Sequence, residues 1–157
     1  MRFAADSSVL VRLYLDQGEA ITIARFLAEG TKVISVSELA RIEVINVLMR
    51  DPALGAAAKF EEDLNEGVRL RRESVNWPDA FQQAESLARR FTRTLRPGGH
   101  DLVLIAAAVV MGATWFLSYD RHSRQRHLAG AAGLHVWPPL DKDEKGLIRQ
   151  ATRRATA

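Results

Sequence analysis

A chain of 157 residues that is 47% hydrophobic and 26% charged has the length of one compact domain and a composition that folds rather than stays disordered. The absence of cysteine excludes disulfides, thiolate catalysis and cysteine-ligated zinc and points to a cytoplasmic setting, while Asp6 interrupts the apolar core an export signal would need. The formal charge is only +3, but a pI of about 9.7 and clustered arginines invite a polyanionic partner.

Arg2 to Ala5 is short, contains apolar residues and stops at Asp6, which suits a first strand; Ser7 or Ser8 then caps a helix over Val9 to Leu15. Apolar residues at Ile21, Ala24, Leu27 and Ala28 give Glu19 to Glu29 a helical spacing, Gly30 stops it, and Lys32 to Val36 reads as a second strand. Ser37 caps Glu38 to Arg50, and Pro52 opens a further helix through Ala58 to about Glu66. Val68 to Val75 alternates enough for a short strand, and Trp77-Pro78 opens a helix that runs to about Leu95. After the break at Pro97-Gly98-Gly99, Asp101 to Met111 is apolar nearly all round and so predicts a buried helix. The apolar run Leu102 to Leu117 falls short of the roughly 20 residues that span a bilayer, so no membrane segment is expected. Thr114 to Tyr119 is a strand ending at Asp120, Arg121 to Ala132 a helix, and Leu134 to Trp137 a last strand before Pro138-Pro139. Such alternation predicts a three-layer α/β/α domain with a central parallel sheet over residues 1–139, followed by an accessory C-terminal tail over 140–157.

Ligands of open parallel sheets gather at the carboxyl ends of the strands, and Asp6 and Asp120 each directly follow an apolar strand. Asp101 begins the buried helix that leads into the second of these strands. Each aspartate taken alone also fits a helix cap, favoured by the macrodipole by roughly 0.3–1 kcal/mol. Glu43 sits mid-helix between Leu39 and Val47, on the apolar stripe, where a carboxylate needs a partner; a salt bridge to Arg41 or Arg50 is the bland alternative. Two like charges 4 Å apart at an effective dielectric near 20 repel by about 4 kcal/mol, so converging carboxylates call for a cation. Oxygen ligands select Mg²⁺ or Mn²⁺. His100, His122, His127 and His135 show no zinc-ligand spacing and read as surface or loop residues, with His100 of interest beside Asp101. Arginines cluster at 69–72, at 89–96 and at 121–126, and the last two groups flank the Asp101 to Asp120 stretch.

The order of these elements resembles the PIN-domain nucleases, and among them the VapC-type toxins of bacterial toxin–antitoxin pairs. Ala5-Asp6-Ser7-Ser8-Val9-Leu10 is similar to the family's first motif, and Ser37 to Arg50 to its second, with Glu43 rather than Glu38 as the acidic residue and Asn46 following it. Asp101-Leu102-Val103-Leu104-Ile105 resembles the Asp-led helix, and Phe116-Leu117-Ser118-Tyr119-Asp120 the terminal hydroxyl-x-Asp motif. Leu104 departs from the pattern, since many relatives carry histidine there.

The resemblance implies an endoribonuclease in which Asp6, Glu43, Asp101 and Asp120 are catalytic. Asp6, Asp101 and Asp120 would hold Mg²⁺ or Mn²⁺, with Ser7, Asn46 and Ser118 in support. It implies hydrolysis by metal-activated water that leaves 5′-phosphate and 3′-hydroxyl ends. Arg93, Arg96, Arg121 and Arg124 would bind RNA phosphates. It further implies a small antitoxin partner and a homodimer, for which an apolar patch around Val11 and Tyr14 is a candidate contact. Two other readings stay open: a DNA-directed nuclease, and an inactive RNA- or partner-binding module. An aspartyl-phosphate phosphatase is disfavoured, because the second aspartate it needs two residues after the first is here Ser8.

Overall fold

The computed structural model describes all 157 residues. β1 (Phe3–Ala5) leads into α1 (Ser7–Leu15) and α2 (Gln17–Ala28), and β2 (Ile34–Val36) into α3 (Glu38–Leu48) and α4 (Ala56–Glu66). β3 (Leu70–Arg72) is followed by α5 (Trp77–Leu95) and α6 (Gly99–Val110), then β4 (Trp115–Leu117), α7 (Gln125–Ala131), β5 (His135–Trp137) and α8 (Lys142–Thr156). The strands form one sheet in the order β3-β2-β1-β4-β5, and every neighbouring pair is parallel. Parallel neighbours require crossover connections, and helices supply each of them here. The expected α/β architecture with a central parallel sheet is the one observed.

β1, β2 and β4 are apolar, save for the buried Ser35, because they are covered on both faces. Phe3, Ile34 and Phe116 are buried, and α6 adds Leu104, Ile105, Ala106, Ala107 and Ala108. Each large apolar side chain buried in this way contributes about 1.5–3 kcal/mol. The edge strand β3 differs, for Leu70 points inward while Arg71 and Arg72 are exposed. Charges along an unpaired edge discourage further strands from adding.

The chain steps outward from β1 to β2 to β3, then returns to place β4 on the other side of β1. The direction of winding therefore reverses between β1 and β4, and open α/β sheets bind ligands at the carboxyl ends of strands where such a reversal occurs. Ala5 pairs with Leu117 in register, and the Asp6 N–H donates to the Leu117 carbonyl at 3.1 Å. The residues that leave the sheet there, Asp6 and Ser118, emerge side by side.

Several sequence expectations change in detail. Asp6 itself, rather than Ser7 or Ser8, caps α1, accepting from the Val9 N–H. The helix expected from Pro52 to Glu66 divides into a single 3-10 turn, Pro52–Leu54, and α4, because Gly55 turns left-handed at φ 64. Residues 121–124 are bends and α7 starts only at Gln125, since the Asp120 side chain captures the N–H groups of His122 and Ser123. Val11 and Tyr14 do not form an exposed patch: both are half-buried, and Tyr14 packs edge-on against Phe60 and donates to Asp63 at 2.7 Å. Within residues 140–157, α8 (Lys142–Thr156) is a helix docked on α5 and α7 and capped by Asp141. Its anchor is Glu144, which accepts from the buried Arg126 guanidinium at 2.7 and 3.2 Å.

Candidate active site

Asp6 is 2% exposed. Its Oδ1 accepts from the Ser8 hydroxyl at 2.5 Å and the Val9 N–H at 3.3 Å, and its Oδ2 from the Ser118 hydroxyl at 2.7 Å. None of these donors is charged. Burial therefore wins, pushing the carboxyl up from 3.8 to about 6 against the three hydrogen bonds, and the nearby Asp120 charge adds to the rise.

Two hydroxyls knit the ends of β1 and β4 together. Ser118 Oγ donates to Asp6 and accepts from the Asp120 N–H at 3.1 Å, while Ser8 Oγ donates to Asp6 and accepts from the Tyr119 N–H at 2.9 Å. Asp120 is half-buried, and its Oδ1 accepts from the N–H groups of His122 at 2.9 Å and Ser123 at 3.0 Å. Burial raises its pKa, but those hydrogen bonds outweigh it and leave the carboxyl below its ordinary value. Two neighbouring aspartates are thus driven apart in acidity by their surroundings.

Glu43 and Asp101 form a second acidic pair. Glu43 pairs with neither Arg41 nor Arg50; its Oε1 lies 2.8 Å from Nε2 of His100, and its Oε2 is buried without a hydrogen-bond partner. Arg41 instead holds Glu61. Burial lifts the Glu43 pKa, His100 opposes the rise, and Asp101 adds to it. Asp101, 8% exposed, accepts from the Gly98 N–H at 3.0 Å in the first turn of α6. No three acidic or histidine side chains stand within reach of a single ion.

The supporting residues are partly other than expected. Ser8 takes the place foreseen for Ser7, because α1 starts at Ser7 and turns the second serine back over its own cap. Asn46 is exposed on α3. Sequence reasoning gives Ser8 only a possible capping role and singles out His100 beside Asp101 without a partner, although each lies within two residues of a candidate aspartate, the one local signal available. His122 and His135 are exposed as expected, but His127 is buried with Nδ1 unpartnered. Arg93, Arg96 and Arg124 are exposed, and Arg121 is exposed but bridges Asp141 at 3.0 Å. Arg126, counted from sequence with this surface cluster, is 1% exposed and serves the interior.

The model of the PIN domain family matches residues 4–130 of the chain, a span that contains all four candidate carboxylates. The chain belongs to the PIN domain family. Solved structures agree on the fold. The VapC20 toxin of Mycobacterium tuberculosis, described as cleaving the sarcin-ricin loop, superposes with a TM-score of 0.60 at 20% identity, covering 84% of this chain and 95% of that one. VapBC2 from Rickettsia felis, solved on a DNA fragment from its promoter, gives 0.57 at 14% identity over 76% of this chain and 89% of that one. VapBC-1 from nontypeable Haemophilus influenzae gives 0.54 at 16%, over 76% and 87%. Among curated proteins none matches in sequence. No helix is long and apolar enough to cross a membrane.

Proposed function

We propose that this PIN-domain chain is a Mg²⁺- or Mn²⁺-dependent endoribonuclease and the toxin of a toxin–antitoxin pair. One observation carries the reading: Asp6 is buried where β1 and β4 end side by side, beside Asp120, with no charged group to neutralise it. The donor set fits a hard divalent ion, being all carboxylate oxygen, and the unpartnered Oε2 of Glu43 is a further atom that such an ion would satisfy. Mg²⁺ typically takes only one or two carboxylates and completes its shell with water and phosphate oxygens, so a preformed three-ligand cage is not required.

In this reading Asp6, Asp101 and Asp120 would hold the ion, no more than two of them directly and the rest through water, and Glu43 would orient the attacking water or a further ion. The ion, when bound, acidifies water and neutralises charge developing on the phosphate. Ser118 and Ser8 hold the Asp6 carboxylate oxygens in place, and Ser118 ties Asp120 to the same point. His100 fixes Glu43 against α6. Arg93, Arg96, Arg121 and Arg124 bind flanking phosphates without reading bases. A cognate small antitoxin is a further part of the proposal, supported by the likeness to VapBC assemblies, and a homodimer is proposed with it.

Incubation of the purified protein with mixed RNAs and with matched DNA, with Mg²⁺ or with EDTA, tests the activity beside Asp6→Asn. Cleavage of RNA by the wild type alone, and only with the metal, is the expected result. Metal-independent cleavage, equal cleavage by the variant, or cleavage of DNA in preference would overturn it. Growth arrest on expression, relieved by the adjacent small reading frame, tests the toxin role.

A further inference from the structure

The last turns of α5 and the C-terminal end of α8 flank a cleft of about 640 Å³, lined by Arg89, Arg90, Arg93, Thr94, Arg154, Ala155 and Ala157 with no acidic side chain among them. Four guanidinium groups from two helices thus face one space. Of these only Arg89 has a carboxylate partner, Glu85 at 3.4 Å, in a pair so exposed that water screens it. Arg90 lies 4.7 Å over the ring of Phe91, an arrangement that fixes its plane and leaves its N–H groups free for an anion. Bringing four like charges together is unfavourable, and a ligand carrying several negative charges in a row relieves it.

The cleft's position names the ligand. Arg89 is six residues from the end of α5, about 9 Å along the helix axis. Immediately beyond that end, Pro97 and Gly98 hand the chain to α6, whose first turn carries His100 and Asp101. The arginines therefore lie on the path by which α5 approaches the acidic pairs. A phosphodiester chain with one link at the carboxylates has further phosphates to place along that path, and arginine forks match phosphate oxygens two at a time. α8, which contributes Arg154, lies beyond the residues that the PIN family model matches.

We propose that this cleft anchors the phosphate backbone of a single-stranded RNA substrate, so that α8 forms part of the substrate-binding surface. The proposal rests on the ribonuclease reading above and extends it to a second binding region. An acidic protein segment is the competing occupant, but the place of the arginines in the turns of α5 that lead to the first turn of α6 favours the RNA.

The test is fluorescence anisotropy with a labelled, mixed-sequence single-stranded RNA in EDTA, across a series of salt concentrations. Wild type is compared with R90E/R154E and with R25E/R149E, which makes the same charge change at exposed arginines outside the cleft. The cleft variant is expected to bind about tenfold or more weakly, with a log–log salt slope shallower by about 0.7 for each phosphate it no longer neutralises, while the off-cleft variant binds as wild type. Equal weakening in both variants, unchanged binding by the cleft variant, or no RNA binding by the wild type would overturn the proposal. So would weakened binding of an acidic antitoxin with RNA binding intact. A wild type that binds RNA with the expected slope yet cleaves nothing in Mg²⁺ would sink the nuclease reading and leave the cleft standing. Should the charge-reversed protein not fold, R90Q/R154Q makes the same comparison.

Discussion

Replacing Glu144 with glutamine strips the counter-charge from Arg126 while keeping nearly the same shape. The pair is deeply buried, with side chains 1% and 7% exposed, and Glu144 accepts three N–H groups: Nε and Nη2 of Arg126 and the backbone N–H of Asp141. Glutamine keeps one acceptor oxygen and turns an NH₂ group toward donors. Breaking a buried pair from one side costs about 3–5 kcal/mol, because the surviving charge stays unsolvated. Arg126 retains the carbonyl oxygens of Ser118 at 2.6 Å, Pro138 at 2.9 Å and Pro139 at 3.3 Å, which places the cost near the lower end, about 3 kcal/mol. In urea, with a slope of about 2 kcal/mol per molar, that lowers the unfolding midpoint by roughly 1.5 M.

The same pair has a pH signature. Burial raises the Glu144 pKa, but the Arg126 hydrogen bonds and the Asp141 N–H outweigh it and hold the carboxyl below its ordinary 4.5. A depressed carboxylate contributes stability that is present above the unfolded value and lost as pH falls through the folded one. Wild type is expected to lose this contribution below about pH 4.5, and E144Q to be flatter there. A midpoint shift under about 0.3 M, or parallel pH curves, would refute the claim that α8 is held by this ion pair.

Three other substitutions test the site and its supports. Asp6→Asn should stabilise the protein in EDTA at pH 7 by up to about 3 kcal/mol, since a carboxyl held at about 6 rather than 3.8 disfavours the ionised fold; thermal unfolding should show the gain vanish below pH 4, and no gain at pH 7 would contradict it. Ser118→Ala removes the hydroxyl shared by Asp6 and Asp120, with an expected loss of about 1–3 kcal/mol in denaturation and of about 10–100-fold in activity. Gly130→Ala would bring a methyl within 2.6 Å of Ile148 Cδ1 on α8, so it should destabilise by about 1 kcal/mol despite better helix propensity, and Ile148→Val should relieve the loss.

The legible part of the fold was whatever local periodicity and punctuation encode. Trp77-Pro78 and Leu95 bound α5 as expected, and the strand-then-aspartate pattern located both Asp6 and Asp120 at strand ends. The order of the strands follows from tertiary packing, and it is this order that makes those two ends adjacent. Arg126 illustrates what sequence alone hides. It stands among exposed arginines, and only a glutamate 18 residues later and three carbonyl oxygens make its burial tolerable. Residues 140–157 carry few large apolar side chains and read as a tail, whereas the Arg126–Glu144 ion pair, the partly buried Leu140 and Leu147, Ile148 beside Gly130 and the small Ala151 dock α8. Glu43 announced a need for a partner but not its identity, because His100 reaches it from another helix.

Mn²⁺ binding to the purified wild-type protein and to Asp6→Asn, followed by calorimetry or by the electron paramagnetic resonance of the free ion, tests whether the carboxylates at the ends of β1 and β4 hold a divalent cation. The expected result is saturable binding to the wild type that the single substitution abolishes or weakens at least tenfold. Equal binding by both proteins, or none by either, would contradict it.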